Sequence, residues 1–327
     1  MCDRQRPALV NCMSINRRLF LQGSLLGAAG AATEPFTRLL GGNSERVFGS
    51  EPSQSEGLVV DTNVHLFRWP FRRLKYDTAD ALVGKLRQHG VKQAWAGSYE
   101  ALFHKNVDAV NARLAEACNE QGGDLLIPFG TVNPNWPDWE EDLRRADEIY
   151  DMPGIRLYPG FQNYTLELPQ FTELLHQAQE RDLIVQIAID QEDERMQHPR
   201  VEIPAVDVTP LAEALGEVPG LKMQLLNPFR HVRGERLRLM VEETDVIFGT
   251  SNLDGTGALE RIMAGNHWFL SGVHIPSERL LLGSHMPFRP LENVLFQLLE
   301  SELTEENASA IMAGNATTLI NAQRFSS

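Results

Sequence analysis

Cysteine is scarce in this 327-residue sequence, which holds only Cys2, Cys12 and Cys118. The first two fall in a segment read below as a removable signal, so the mature chain keeps a single thiol and an internal disulfide is excluded. Cys118 lies in NARLAEACNEQ, a helical stretch where a lone thiol is a packing residue. Positive charge is scarce too: 30 Lys and Arg stand against 44 Asp and Glu, a net charge of −14. Without a basic excess to neutralise phosphates, nucleic acid and anionic membrane surfaces are excluded as principal partners. No Gly-x-Gly-x-x-Gly turn follows the first apolar run, which argues against an open dinucleotide-binding sheet. What the chain does have is 43% apolar residues over a length that supports one large core.

The N-terminal stretch NRRLFLQGSLLGAAGAAT, residues 16–33, pairs Arg17 and Arg18 with Phe20 and Leu21, then runs through small and apolar residues. A charged start, an apolar middle and a small-residue end are the layout of an export signal, and Arg-Arg-x-Phe-Leu resembles a twin-arginine signal. The stretch is too short and too interrupted by glycine to span a membrane. Residues 1–32 are therefore expected to be a signal that sends the protein to the periplasm. Residues 33–57, rich in Gly, Ser and Glu, are expected to be a flexible linker, and residues 58–321 the folded domain.

From residue 58 onward, short β-rich runs alternate with helical stretches. Strands are predicted at 58–65, 92–97, 125–132, 154–158, 183–189, 221–226, 245–250 and 279–284. Segments of helical periodicity separate them, and PLENVLFQLLESE follows the last. This α/β alternation predicts a single (β/α)₈ barrel, in which functional groups sit at the carboxyl ends of the strands.

That rule selects the candidates. Strand one carries Asp61, Asn63 and His65, two apart and so expected to share a side of an extended chain. Strand four carries Arg156 and Tyr158. An arginine inside a barrel is expected to meet an anion, either a protein carboxylate or that of a substrate. Strand five offers Gln186 and, in the same parity, Asp190, followed by the charged run QEDERMQHP, of which Glu192 and its neighbours should in part line the mouth. Strand six offers Gln224 or Asn227, with Arg230 and His231 beyond. Strand seven leads into the polar loop GTSNLDGTG, and strand eight ends at Ser284 and His285. His89, His104, His176, His267 and His274 lie on helices or connections and are set aside.

VVDTNVHLF, GIRLYPGFQNY, IVQIAIDQEDERMQHP, LLLGSHMPF and ENASAIMAGNATTLI, in that order from about Leu58 to Leu319, resemble the amidohydrolase-related family. The resemblance is to the branch that includes aminocarboxymuconate semialdehyde decarboxylase. It implies a metal-dependent TIM barrel in which one divalent ion, usually zinc, serves hydrolysis or decarboxylation. It also implies metal ligands in a strand-one His-x-His preceded by Asp, a strand-five His and a strand-eight Asp. Here His65 matches the second histidine, but Asn63 replaces the first, Gln186 the strand-five His, and His285 the strand-eight Asp. Amide oxygens are poor zinc ligands. The metal set reduces to His65 and His285 with Asp61 and Asn63, and the ion is expected to be weakly held or absent.

The reading is a hydrolase of a small carboxylated compound, with His285 and His65 in catalysis and Arg156 anchoring the carboxylate, beside Tyr158, Gln186 and Asn227 in substrate binding. The alternatives are a decarboxylase of the same family and a barrel that binds without turnover. A subunit of a larger assembly is supported only by the acidic surface and the apolar run PLENVLFQLL, which suits a barrel-packing helix better.

Overall fold

Eight short parallel strands pair in chain order: β1 (Val60–Leu66), β2 (Gln93–Ser98), β3 (Leu126–Gly130), β4 (Gly154–Leu157), β5 (Ile184–Ala188), β6 (Met223–Leu226), β7 (Ile247–Gly249) and β8 (Leu280–Leu281). The computed structural model describes residues 58–320 apart from 254 and 269–271, so the expected signal at 1–32 and linker at 33–57 lie outside the described residues. The ends of the sheet meet through Thr62 N to Leu282 O at 2.8 Å, His65 N to Met286 O at 2.9 Å and His285 N to Asn63 O at 2.8 Å. The architecture is a (β/α)₈ barrel, as the alternation predicts.

A helix follows each strand: α1 (Ala79–Gln88), α2 (Val107–Ala117), α3 (Trp139–Glu148), α4 (Pro169–Glu180), α5 (Leu211–Glu217), α6 (Glu235–Glu242), α7 (Ala258–Met263) and α8 (Leu291–Glu300). Local chemistry sets where they begin. Thr78 caps α1 by accepting from Ala81 N, Asn106 caps α2 by accepting from Ala109 N, and a proline opens α4. Each then lays an apolar stripe on the barrel, as Leu82, Val83 and Leu86 do for α1.

Two irregularities shape the site. The β1–β2 register shifts between Asp61 and Val64, so the two-residue period breaks in the middle of the polar row. Strand β8 stops three residues earlier at its end than the prediction to 284. Past Leu281 two backbone N–H groups turn from the ladder to side chains: Gly283 N donates to Thr250 Oγ1 at 3.2 Å and Ser284 N to Asp61 Oδ1 at 2.9 Å.

Candidate active site

Arg156 projects from β4 into the barrel and is fully buried. A guanidinium has five N–H donors, and here each has an acceptor. Nε donates to Gln186 Oε1 at 2.8 Å; Nη1 to Val64 O at 2.8 Å and to His65 Nε2 at 3.3 Å; Nη2 to Thr62 O at 3.3 Å and Trp95 O at 3.0 Å. The expectation that Arg156 meets an anion holds only at a distance, through the buried carboxylate of Asp61, which favours its charge without a hydrogen bond to it. Three carbonyls, an amide and an imidazole are the hydrogen-bond acceptors, and no N–H is left for a substrate.

Gln186 and Asn227 are likewise spent inside the protein. Gln186 Nε2 donates to Thr62 O at 3.0 Å and to Gln224 Oε1 at 2.6 Å, while Gln224 Nε2 donates to Thr62 Oγ1 at 2.8 Å. Asn227 Oδ1 accepts from Asn63 Nδ2 at 3.0 Å and Ser251 Oγ at 2.7 Å; its Nδ2 donates to Asp190 O at 2.8 Å and faces His285 Nδ1 at 3.4 Å. Both were expected to bind substrate; with every donor and acceptor used, they are scaffold. Fully satisfied networks of this kind hold a buried polar interior in one arrangement.

The strand-one row does not act as one unit, because the register shift turns its members apart. Asp61 Oδ1 accepts from Asn63 N at 3.1 Å and from Ser284 N. Asn63 joins Asn227 and Ser251, and His65 joins Arg156. His65 and His285 nevertheless converge, their ring centroids 5.5 Å apart and edge to face. His285 Nε2 donates to Gln191 O at 2.8 Å. His65 stacks on Tyr99 at 4.6 Å, with Tyr158 tilted at 6.1 Å.

Burial dominates the electrostatics. It pushes the His65 pKa well below the usual histidine value, with Arg156 and His285 adding to the effect, and takes His285 down to about 4. Both rings are neutral at pH 7. Since His65 Nε2 accepts from Arg156, the proton sits on Nδ1, which has no partner among the described residues. Burial raises Asp61 to about 6, against the lowering by its Ser284 and Asn63 hydrogen bonds. Its Oδ2, the Tyr99 hydroxyl, the Trp69 indole N–H and both side-chain polar atoms of Gln191 are also buried without a described partner.

An aromatic cover closes the mouth. Trp69, in the loop after β1, meets Phe288 at 4.8 Å, Tyr99 at 5.3 Å, Phe71 at 5.4 Å and Phe161 at 6.0 Å. Phe288 in turn stacks on His285 at 5.1 Å. Arg72 lies over Phe288 at 5.1 Å and pairs with Glu192 from the loop after β5. The charged run there is thus divided: Gln191 and Glu192 are buried at the mouth, whereas Arg195 is exposed. Between Phe161 and the segment after β5, a cavity of about 10 Å³ borders Tyr158, Asp190 and Gln191, room for about one water. A wider cleft of about 530 Å³ lies outside, against Phe67, Arg68, Asp77, Tyr99, Phe103 and His104. Tyr99 faces this cleft and also stacks on His65.

Sequence reading missed Tyr99, Trp69 and Phe288, and it set aside His104, which lines the cleft. Position after β2 was the only signal for Tyr99. For Trp69 and Phe288 none existed beyond aromatic residues just past β1 and β8. His231, noted only as lying beyond strand six, pairs with Asp190 at 2.9 Å on the rim.

The donor set does not suit the divalent ion that the resemblance implies. Among the described residues, no three His, Cys, Asp or Glu side chains are grouped to hold a metal. Of the expected ligands, His65 Nε2 faces a guanidinium, His285 has both ring nitrogens engaged, Asn63 offers an amide, and only Asp61 offers a carboxylate. A dication about 4 Å from the guanidinium would be repelled by about 8 kcal/mol at an effective dielectric of about 20.

No family model and no curated protein matches the sequence. Solved structures do match. A 2,6-dihydroxybenzoate decarboxylase from Rhizobium superposes with a TM-score of 0.62 at 16% identity, over 80% of this chain and 98% of that one. A dihydroxybenzoic acid decarboxylase from Polaromonas, with bound manganese and the inhibitor 2-nitroresorcinol, gives 0.61 at 14%, over 82% and 100%. A 5-carboxyvanillate decarboxylase from Sphingomonas paucimobilis gives 0.61 at 10%, over 80% and 98%. At these identities the likeness shows the fold. Those named relatives are decarboxylases, and one of them holds manganese.

Proposed function

We propose that this barrel acts on a small carboxylated aromatic compound at the carboxyl ends of its strands, and that it removes the carboxyl group as CO₂ instead of hydrolysing a bond. One observation carries this reading: two neutral imidazoles meet edge to face under an aromatic cover, with the His65 Nδ1–H unspent. Hydrolysis needs a positioned base to activate water, and neither imidazole is free to be one; the Asp61 carboxylate is ionised at pH 7, but its Oδ1 is held by Asn63 N and Ser284 N. His65 Nε2 faces Arg156, and His285 Nε2 is already committed as a donor. Decarboxylation needs no nucleophilic water. The ring carbon takes the proton of the hydroxybenzoate's own phenolic hydroxyl, the bonding pair of the departing carboxylate stays with the ring, CO₂ leaves, and the phenolate product regains a proton from solvent on release. When the cover parts, the faces of Trp69, Tyr99, Phe161 and Phe288 receive an aromatic ring and shield its carboxylate from water. His65 Nδ1–H orients the ligand by donating to one of its oxygens. The carboxylate is received by Arg72 at the mouth, which exchanges Glu192 for the ligand when the cover parts. The decarboxylases sharing this fold support the choice of reaction class.

The test is incubation with a panel of hydroxylated benzoates, with the decarboxylated arene followed by chromatography and CO₂ by a coupled assay. Product from at least one hydroxybenzoate is expected, with no turnover of esters, lactones or amides. A second reading, binding without turnover, is favoured by the complete internal use of Gln186 and Asn227. Ligand-induced thermal stabilisation without any CO₂ would establish that reading in place of the first.

A further inference from the structure

We propose that Arg156 is itself the resident cation of this barrel, occupying the interior in place of a divalent metal. Three features of the interior converge on that assignment. The guanidinium is enclosed by acceptors from β1, β2 and β5: the carbonyls of Thr62, Val64 and Trp95, Gln186 Oε1 and His65 Nε2. These partners suit a planar donor fork, because they are spread around its edge and none is charged. The space for it is left by Gly97 on β2. A Cβ there would lie 2.7 Å from the Tyr158 hydroxyl and 2.8 Å from both Cδ and Nη1 of Arg156, closer than real contacts allow. The surrounding polar side chains are mainly amides, Gln186 bonded to Gln224 and Asn63 to Asn227, and the one carboxylate, Asp61, supplies a single negative charge that matches a monocation. A fixed monocation needs no further charge, and it ties four strands together from within: β1, β2, β4 and β5.

The inference concerns the cation alone and does not depend on the reaction proposed above. Protein purified without chelator is analysed for metal by mass spectrometry, and its melting temperature is measured with added Mn²⁺, Zn²⁺ or EDTA. The expected result is far less than one metal ion per chain and no shift in melting temperature with either ion or with EDTA. One ion per chain surviving dialysis, or a saturable rise with Mn²⁺ or Zn²⁺ that EDTA reverses, would overturn the proposal. Arg156→Met and Arg156→Lys separate charge from bulk: both should melt lower than the parent, Met by more. An Arg156→Met protein as stable as the parent would show that the guanidinium does not hold the interior. The metal measurements on the parent protein stand even if neither variant folds. A metal-free protein leaves the inference intact whether or not it decarboxylates, and a metal-loaded one defeats it in either case.

Discussion

His285 occupies the strand-eight position in a left-handed backbone conformation, φ 62°. That turn brings its ring against Phe288 and His65 and directs Nε2 to Gln191 O. Burial then keeps the ring neutral until about pH 4. The unfolded chain takes up its proton near pH 6.5, so between about 6.5 and 4 the unfolded state binds more protons than the folded one. Stability from this residue is therefore present above pH 6.5 and lost as the pH falls towards 4, by up to about 3 kcal/mol. Asp61 works in the opposite sense. Its pKa is raised to about 6, so its contribution is present below the unfolded carboxyl range and lost as the pH rises through 6. The comparison that isolates His285 is the melting temperature of the parent and of His285→Gln from pH 4 to 7. The parent should lose more stability than the variant on acidification, and parallel curves would contradict a buried neutral ring.

The loop between β1 and α1 is the element that separates the histidines from solvent. Its hold on the barrel is mostly apolar: Trp69 is 3% exposed and touches four aromatic rings. Removing a buried indole costs about 3–5 kcal/mol when the element stays docked. A loop can undock instead, so Trp69→Ala should raise amide exchange over residues 67–76 and leave β3 to β5 protected. The Arg72–Glu192 pair is partly solvated and is worth about 1 kcal/mol or less, so Arg72→Ala should loosen the same stretch to a smaller degree. Exchange that accelerates uniformly across the barrel, or nowhere, would mean that this loop does not move as a cover.

At the opposite end of the strands, the C-terminal segment completes the core. Ala313, Ala316 and Ile320 pack with Val60, Trp95, Phe129, Ile184 and Leu281, and Val60 and Ile184 are the first residues of β1 and β5. Asn315 fastens this segment by donating to Ser277 O at 2.7 Å and Leu280 O at 2.9 Å. Asn315→Ala leaves those carbonyls without this partner, and a loss of about 1–3 kcal/mol is expected. Urea titration reads it directly: an unchanged midpoint would show the segment to be dispensable. Because the mouth lies at the other end of the barrel, Asn315→Ala should leave ligand binding as it was.

The order of eight strands and helices was legible in the sequence because periodicity and caps are local properties, and residues such as Thr78 and Asn106 act within one helical turn. So was the convergence of His65, Arg156, Gln186 and His285 on one interior, since a parallel barrel brings the carboxyl ends of its strands together. What each of those residues does there was decided by tertiary structure. A one-residue register shift beside Asn63, the space beside Gly97 and three carbonyls from other strands determine that Arg156 is spent inside the protein and not offered to a ligand. Partners brought together from distant parts of the chain leave no period in the sequence, and an amide reads the same whether its hydrogen bonds are free or taken.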